Sequence, residues 1–260
     1  MDFEPINEDH AVQSAVFSLV LDGPVSQIAI QGLGRRRDLI SELPAVQNPE
    51  GFELSGVPGA GGVPAPRRML GVQLAHLRPD GTPAWALRMM GQEIAVECTR
   101  YTRWNRIWET ARRYLKGALG EIPPGERARK IAILGHTVVD QFIANRDEYD
   151  LSDLLKKNRF LADNAFRAGP TWHNHVGWFE SVENSQAWLN QLNIDALRDN
   201  SGQLLVQITH NQEMRFVSSF ELSAVDSFLD DTMNRLHVQN KIVLDELLTP
   251  NMAKKIGIRE

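Results

Sequence analysis

Trp85 to Leu119 reads WALRMMGQEIAVECTRYTRWNRIWETARRYLKGAL, and this stretch decides the fold class. Ala84 to Met90 and Glu93 to Thr99 are apolar-rich runs of strand length, and Gly91-Gln92 between them is a turn. Upstream, Met69 to Leu77 is a third such run, joined to the first by Arg78-Pro79-Asp80-Gly81. The pattern predicts a meander of antiparallel strands. Beyond it, Thr102 is placed to cap a helix from Arg103 to about Leu119. Trp104, Ile107, Trp108, Ala111, Leu115 and Leu119 recur there at three- and four-residue spacing. Gly120 and Pro123-Pro124 end the helix.

Working outward, Ala11 to Leu21 reads as a largely buried strand, and Val25 to Leu43 as helical, with Gly32 and Gly34 weakening it. A glycine- and proline-rich loop between Pro44 and Pro66 holds a short edge strand over Phe52 to Val57. Lys130 to Phe142 (KIAILGHTVVDQF) is a further strand. Asp150 to Lys157 suggests a short helix, followed by strands at His173–Glu183, Ala187–Arg198 and Gln203–Phe216, the last two joined by Asn200-Ser201-Gly202. Ser223 with Asp226 is a cap signal for a long helix to about Leu248 that buries Val225, Phe228, Leu229, Leu236, Val243 and Leu247. Pro250 stops it, and Met252 to Ile256 adds one turn. Consecutive hairpins favour antiparallel pairing, so the expected class is α+β. The expected architecture is two meander-plus-helix halves, residues 1–145 and 146–260, packed on long amphipathic helices as two units or one continuous domain.

With 260 residues, 42% of them hydrophobic, the chain can bury a substantial core without disulfides or metal. Cys98 is the single cysteine, which excludes an internal disulfide and a multi-cysteine zinc site. A net charge of −5 argues against wholesale coating of nucleic acid, so any such contact needs a local basic face. The acidic start MDFEPINEDHAV lacks the pattern of a signal peptide, and the apolar runs are too short to span a bilayer. A cytoplasmic protein without membrane partners is the expectation.

The segment WALRMMGQEIAVECTRYTRWNRIWETARRYL resembles a sporadically distributed prokaryotic family without an established activity. That family shows a Thr-x-Tyr-x-x-Trp hinge before an amphipathic helix, here Thr99, Tyr101 and Trp104. Leu236-His237 and Lys254-Lys255-Ile256-Gly257 resemble its C-terminus, whereas Gly135-His136 stands where the family has Arg-Tyr. The resemblance implies an α+β protein of accessory or mobile genes, with involvement in defence or mobile-element biology. It implies no reaction, cofactor or catalytic residue.

The residues themselves offer a basic face. Arg100, Arg103, Arg106, Arg112, Arg113 and Lys116 stand against Glu109 alone in that segment, followed by Arg127, Arg129 and Lys130. Such a face could track phosphates. The plainer account is a solvated face supported by Glu109–Arg113 at i,i+4, with Trp104 and Trp108 in the core. Arg35, Arg36 and Arg37 follow the glycine pair Gly32 and Gly34, which could offer backbone N–H groups to a phosphate but completes no nucleotide fingerprint. His173 and His175, two apart on a strand, share a face and are the pair nearest to a metal site; two ligands do not hold zinc tightly. His237 sits at the margin of an apolar stripe, where a partly buried, hydrogen-bonded role is usual. Asp226, Asp230 and Asp231 suit the helix dipole. No nucleophile elbow occurs, and Cys98 has no neighbouring activator.

The expected function is therefore a non-enzymatic binding or scaffold protein with no cofactor, acting on a protein partner or as a homo-oligomer. A small-ligand sensor is related to it, because a curved sheet closing over a long helix can leave a pocket. The alternatives are a nucleic-acid-binding accessory factor using residues 100–116, and a metal-dependent hydrolase or nuclease whose ligands converge only in three dimensions.

Overall fold

The computed structural model describes residues 2–54, 66–126, 130–182, 186–221 and 225–259. The chain runs β1 (Phe3–Pro5), β2 (Val12–Leu21), α1 (Gln27–Leu33), α2 (Arg37–Glu42), β3 (Ala45–Gln47), β4 (Glu50–Leu54), β5 (Pro66–Leu77), β6 (Pro83–Met90) and β7 (Glu93–Cys98). It continues through α3 (Trp104–Gly120), β8 (Lys130–Ala144), β9 (Trp172–Val182), β10 (Gln186–Arg198), β11 (Leu204–Glu221), α4 (Val225–Leu247) and α5 (Pro250–Lys255). The fold is α+β, with an antiparallel sheet in the order β3-β5-β6-β7-β2-β8-β11-β10-β9. β1 adds to β8 beyond the start of β2, and β4 adds to β5. The long strand β8 joins the first meander, through β2, to the second, through β11.

Gly81, Gly91 and Gly202 take positive φ (84°, 61° and 85°) in three hairpin turns, where a side chain would be strained. The single helix expected over Val25–Leu43 is two. Ser26 caps α1 by accepting from the Ala29 N–H (3.3 Å), and the chain breaks at Gly34 before α2 begins. A Cβ on Gly32 would collide with the Glu121 carboxylate, which closes over that turn. Thr102 does not cap α3. Arg103 holds that position without a side-chain bond, and the helix start is anchored instead by Trp104 Nε1, which donates to Asn234 Oδ1 on α4 at 2.8 Å. Between Asp150 and Lys157 the chain makes one 3-10 turn, Leu151–Asp153, with Asp150 as its cap. Thr249 caps α5, and Pro250 occupies its first turn, where no N–H is needed. Residues 55–65 of the glycine- and proline-rich loop, Arg127, Arg129 and the Ser223 cap lie outside the described residues.

Two apolar clusters form the interior. The first gathers Phe17, Leu19, Leu74, Leu87 and Val96 of the sheet with Leu33 of α1, Leu39 of α2, Ile107, Trp108, Ala111 and Leu115 of α3, and Leu229, Met233 and Leu236 of α4. The second gathers Phe3, Phe142, Leu192, Ile194, Val206 and Ile208 with Leu154, Leu155, Val243, Leu247 and Met252. Helix α4 therefore serves both, its first half on one core and its second half on the other. Each fully buried Leu, Val or Phe contributes about 1.5–3 kcal/mol relative to exposure, which explains why the expected stripe Leu229, Leu236, Val243, Leu247 is the part of α4 that faces inward. Among the described residues no helix is long and apolar enough to cross a membrane.

Candidate functional site

Between the two cores lies a polar belt, and its origin is strand alternation. On β8, His136, Val138, Asp140 and Phe142 all face the helices. His136 pairs in register with Gln212 of β11, which pairs with Asn190 of β10. One step along, on the same face, Val138 pairs with His210, and then Asp140 with Ile208. His136, Asp140, Asn190, His210 and Gln212 are all buried. Helix α4 answers two of them at its midpoint. Gln212 Nε2 donates to the Leu236 carbonyl (2.9 Å), and His210 Nδ1 meets Asn240 Oδ1 (2.9 Å).

His210 Nε2 also meets Asn190 Oδ1 at 3.1 Å. Burial lowers His210 to a pKa of about 4 against the opposing effect of the Asn240 bond, so the ring is neutral and has one N–H. It cannot donate to both amides. Asn190 therefore presents its nitrogen to the ring, which also removes the orphaned Nδ2 that the opposite orientation leaves. Among the described residues His136 has no hydrogen-bond partner for either ring nitrogen, and it packs on Phe17 and Trp104, with centroids 5.3 and 5.4 Å away. Burial, with smaller contributions from His237 and His210, pushes its pKa down to about 3. It is a neutral aromatic filler.

At the open end of the belt is a cavity of about 410 Å³. The lead-in to α3 contributes Tyr101 and Trp104, the middle of α4 contributes His237, Asn240 and Lys241, and the lead-in to β2 supplies Ala11 and Val12. The segment after α5 closes another side. Trp104 and His237 stack face to face, with centroids 4.0 Å apart and planes 3° from parallel. No hydrogen bond to the His237 ring occurs among the described residues; burial lowers its pKa to about 4, with Lys241 adding to the effect. Its expected hydrogen-bonded role is thus replaced by ring stacking.

Asp140 lines this cavity with 2% of its surface exposed, and its side chain makes no hydrogen bond or ion pair among the described residues. Burial alone raises its carboxyl to about 7. Neighbouring Tyr101 is pushed up to about 12, first by burial and then by the Asp140 charge. Arg103, Lys241 and Lys254 also line the cavity and have no ion pair or side-chain hydrogen bond among the described residues, whereas Lys255 pairs with Glu4. The arrangement places one buried carboxyl and three cations without ion pairs along the same cavity, with the exposed Asp9 also in its lining. It can bind; a group of three His, Cys, Asp or Glu able to hold a metal is absent among the described residues.

The cations singled out in the sequence do not form one face. Arg36 meets Asp38 (3.0 Å), Glu121 (3.1 Å) and the Gly117 carbonyl (2.7 Å), tying the α1–α2 break to α3. Arg112 meets Asp230 at 3.1 Å, and the same aspartate accepts from Trp108 Nε1 at 2.9 Å. Asp230 thus joins α4 to α3, a role additional to the helix dipole. Arg113 clasps Glu42, which also accepts from the Tyr114 hydroxyl at 3.0 Å, so the expected Glu109–Arg113 support is replaced by a tertiary pair. Lys116 lies beside them on an open groove that also carries Asp38, Glu42 and Glu109. Arg35, Arg37, Arg100, Arg103 and Arg106 are exposed and have no ion pair among the described residues. His173 and His175 lie on the outer face of the edge strand β9, with ring centroids 5.4 Å apart and His175 Nε2 3.0 Å from Asp195. His136 and His210 face the helices, so the sheet separates the two pairs. Cys98 is buried, and desolvation raises its thiol to about 11, which leaves it inert as a nucleophile.

Asp140 went unnoticed in the sequence, although a signal was there. The alternation in HTVVDQF places a carboxylate on the same strand face as Val138 and Phe142, a polar group where the pattern demands burial. Comparison with protein-family models, with curated proteins and with solved structures finds no match.

Proposed function

We propose that the protein is a non-enzymatic binding protein that takes a small molecule into the Asp140 cavity. One observation carries this reading: a carboxylate with 2% of its surface exposed lines a cavity of about 410 Å³ with no partner among the described residues. A buried, unpaired ionisable group destabilises the fold unless something compensates it, and a ligand is the compensation that a cavity permits. The volume falls in the range of small-molecule sites. In this reading the two meander-plus-helix halves meet at the cavity. Residues 1–145 supply Tyr101, Trp104 and Asp140, and residues 146–260 supply α4 and α5. Ligand occupancy would then act on the α3–α4 seam, which the protein partner or second copy would read. Native mass spectrometry of the chain purified from its own host tests the proposal. The expected result is a co-purifying small molecule that is lost from Asp140→Leu. A bare wild-type chain that no metabolite panel stabilises against heat would refute it.

A second reading, contact with nucleic acid, draws its support from Arg100, Arg103 and Arg106, which are exposed and without ion pairs among the described residues. It predicts that replacing Arg100 and Arg106 by Ala flattens the salt dependence of binding to a DNA or RNA duplex. An unchanged slope would eliminate it.

A further inference from the structure

The chemistry of the cavity restricts what can fill it. An ionised carboxylate is an acceptor only, and its two oxygens match two parallel N–H donors on one edge of a ligand. Arg103, Lys241 and Lys254 line the same cavity without ion pairs among the described residues and outnumber the exposed Asp9 at its rim, a distribution suited to an anionic group on the same ligand. The rest of the lining is mixed, with the rings of Tyr101 and Trp104 and the apolar Leu244 beside His237 and Asn240. A bare metal ion or ammonium would fill little of about 410 Å³ and would meet three cations, Arg103, Lys241 and Lys254, in the same lining. A free guanidinium compound offers the right pair of N–H donors but adds positive charge where positive charge already stands. A neutral guanine ring offers the same N–H fork and carries a phosphate through its ribose.

Building on the ligand-binding reading above, we infer that the cavity binds a guanine mononucleotide, with the guanine N–H edge on Asp140 and the phosphate toward Lys241, Lys254 and Arg103. The burial that raises the Asp140 carboxyl to about 7 is consistent with this, because a donor pair on the ligand compensates the desolvation of Asp140. His237 is neutral beside Trp104 and leaves the phosphate to the lysines and the arginine.

The test is a titration of the full chain, followed by tryptophan fluorescence and calorimetry at neutral pH, with GMP, UMP, guanosine, inorganic phosphate and L-arginine as probes. GMP is expected to saturate one site, with UMP weaker by about tenfold or more, because charge-assisted hydrogen bonds contribute about 1.5–3 kcal/mol and each 1.4 kcal/mol is tenfold. Asp140→Asn should weaken GMP by a similar factor while melting as a folded protein. The pair Lys241→Ala and Lys254→Ala should bring GMP down toward the affinity of guanosine and leave guanosine itself unchanged. Equal binding of GMP and UMP, or of GMP to wild type and Asp140→Asn, overturns the assignment, as does tighter binding of L-arginine than of GMP. If GMP fails but another metabolite binds wild type and not Asp140→Leu, the guanine assignment falls and the cavity reading stands. If nothing binds, both fall.

Discussion

Replacing Asp140 with Asn isolates the cost of the buried carboxyl. Its carboxyl titrates near 7 in the folded chain against 3.8 as an ordinary aspartate. At about 1.36 kcal/mol per pH unit, that interval of about 3.2 corresponds to roughly 4 kcal/mol. The sign follows from proton uptake. Between pH 3.8 and 7 the folded chain holds a proton that the unfolded chain has lost, so this group's contribution to stability falls as pH rises and levels off above 7. Asn keeps the shape and the polar character but does not titrate. The variant should therefore match wild type near pH 4 and exceed it by about 4 kcal/mol at pH 8. With a urea slope of about 2–3 kcal/mol/M, the midpoint should rise by roughly 1.5–2 M at pH 8. Buried His136, His210 and His237 work in the opposite direction. Their folded pKa values are lowered, so their contribution is present above pH 6.5 and is lost as pH falls. They are common to both proteins and cancel in the difference. Urea melts of the two proteins at pH 4, 6 and 8 provide the measurement. A stability difference that does not grow between pH 4 and 8 would refute the premise that Asp140 is buried without a partner.

Three further outcomes are expected. His136→Phe should be neutral or stabilising at pH 8, by up to about 2 kcal/mol, because it removes two orphaned ring nitrogens from the core; its advantage should increase as pH drops below 6.5, read from thermal melts at both ends of that range. Arg112 and Asp230 are each one-third exposed, so their pair should couple by about 1 kcal/mol or less in a double-mutant cycle, while Trp108→Phe, which withdraws the donor to Asp230, should cost a comparable amount in chemical denaturation. Cys98, raised to about 11 and buried, should resist a thiol reagent at pH 8 in the native chain and react promptly once urea unfolds it; rapid native labelling would show that the strand opens locally.

The meander and its helix were legible because they depend on local rules. Turn residues at Asp80-Gly81 and Gly91, and the spacing of Ile107, Trp108, Ala111 and Leu115, act within a few residues of themselves. The errors fall where a distant residue intervenes. The Val25–Leu43 helix breaks at Gly34, where the turn folds under α3, with Glu121 over Gly32 and Arg36 on the end of α3. Thr102 lost the cap position to a chain path anchored by Trp104 on Asn234. The basic face was read from α3 alone, whereas Glu42 and Asp230, far away in sequence, engage two of its arginines.

By itself the sequence determined that the chain is α+β, where most of its longer strands and helices lie, and which residues of α3 and α4 turn inward. Period-two and 3.6-residue patterns encode a face against an unspecified core. Tertiary structure alone decided which core. It set β8 between two meanders, laid α4 across both clusters, and thereby brought Asp140, His237 and Trp104 to one cavity. It also determined which charges are spent and which remain. An arginine beside its glutamate and an arginine open to solvent look the same in sequence, because what separates them is a Coulomb interaction over a few ångströms between residues some seventy to 120 positions apart.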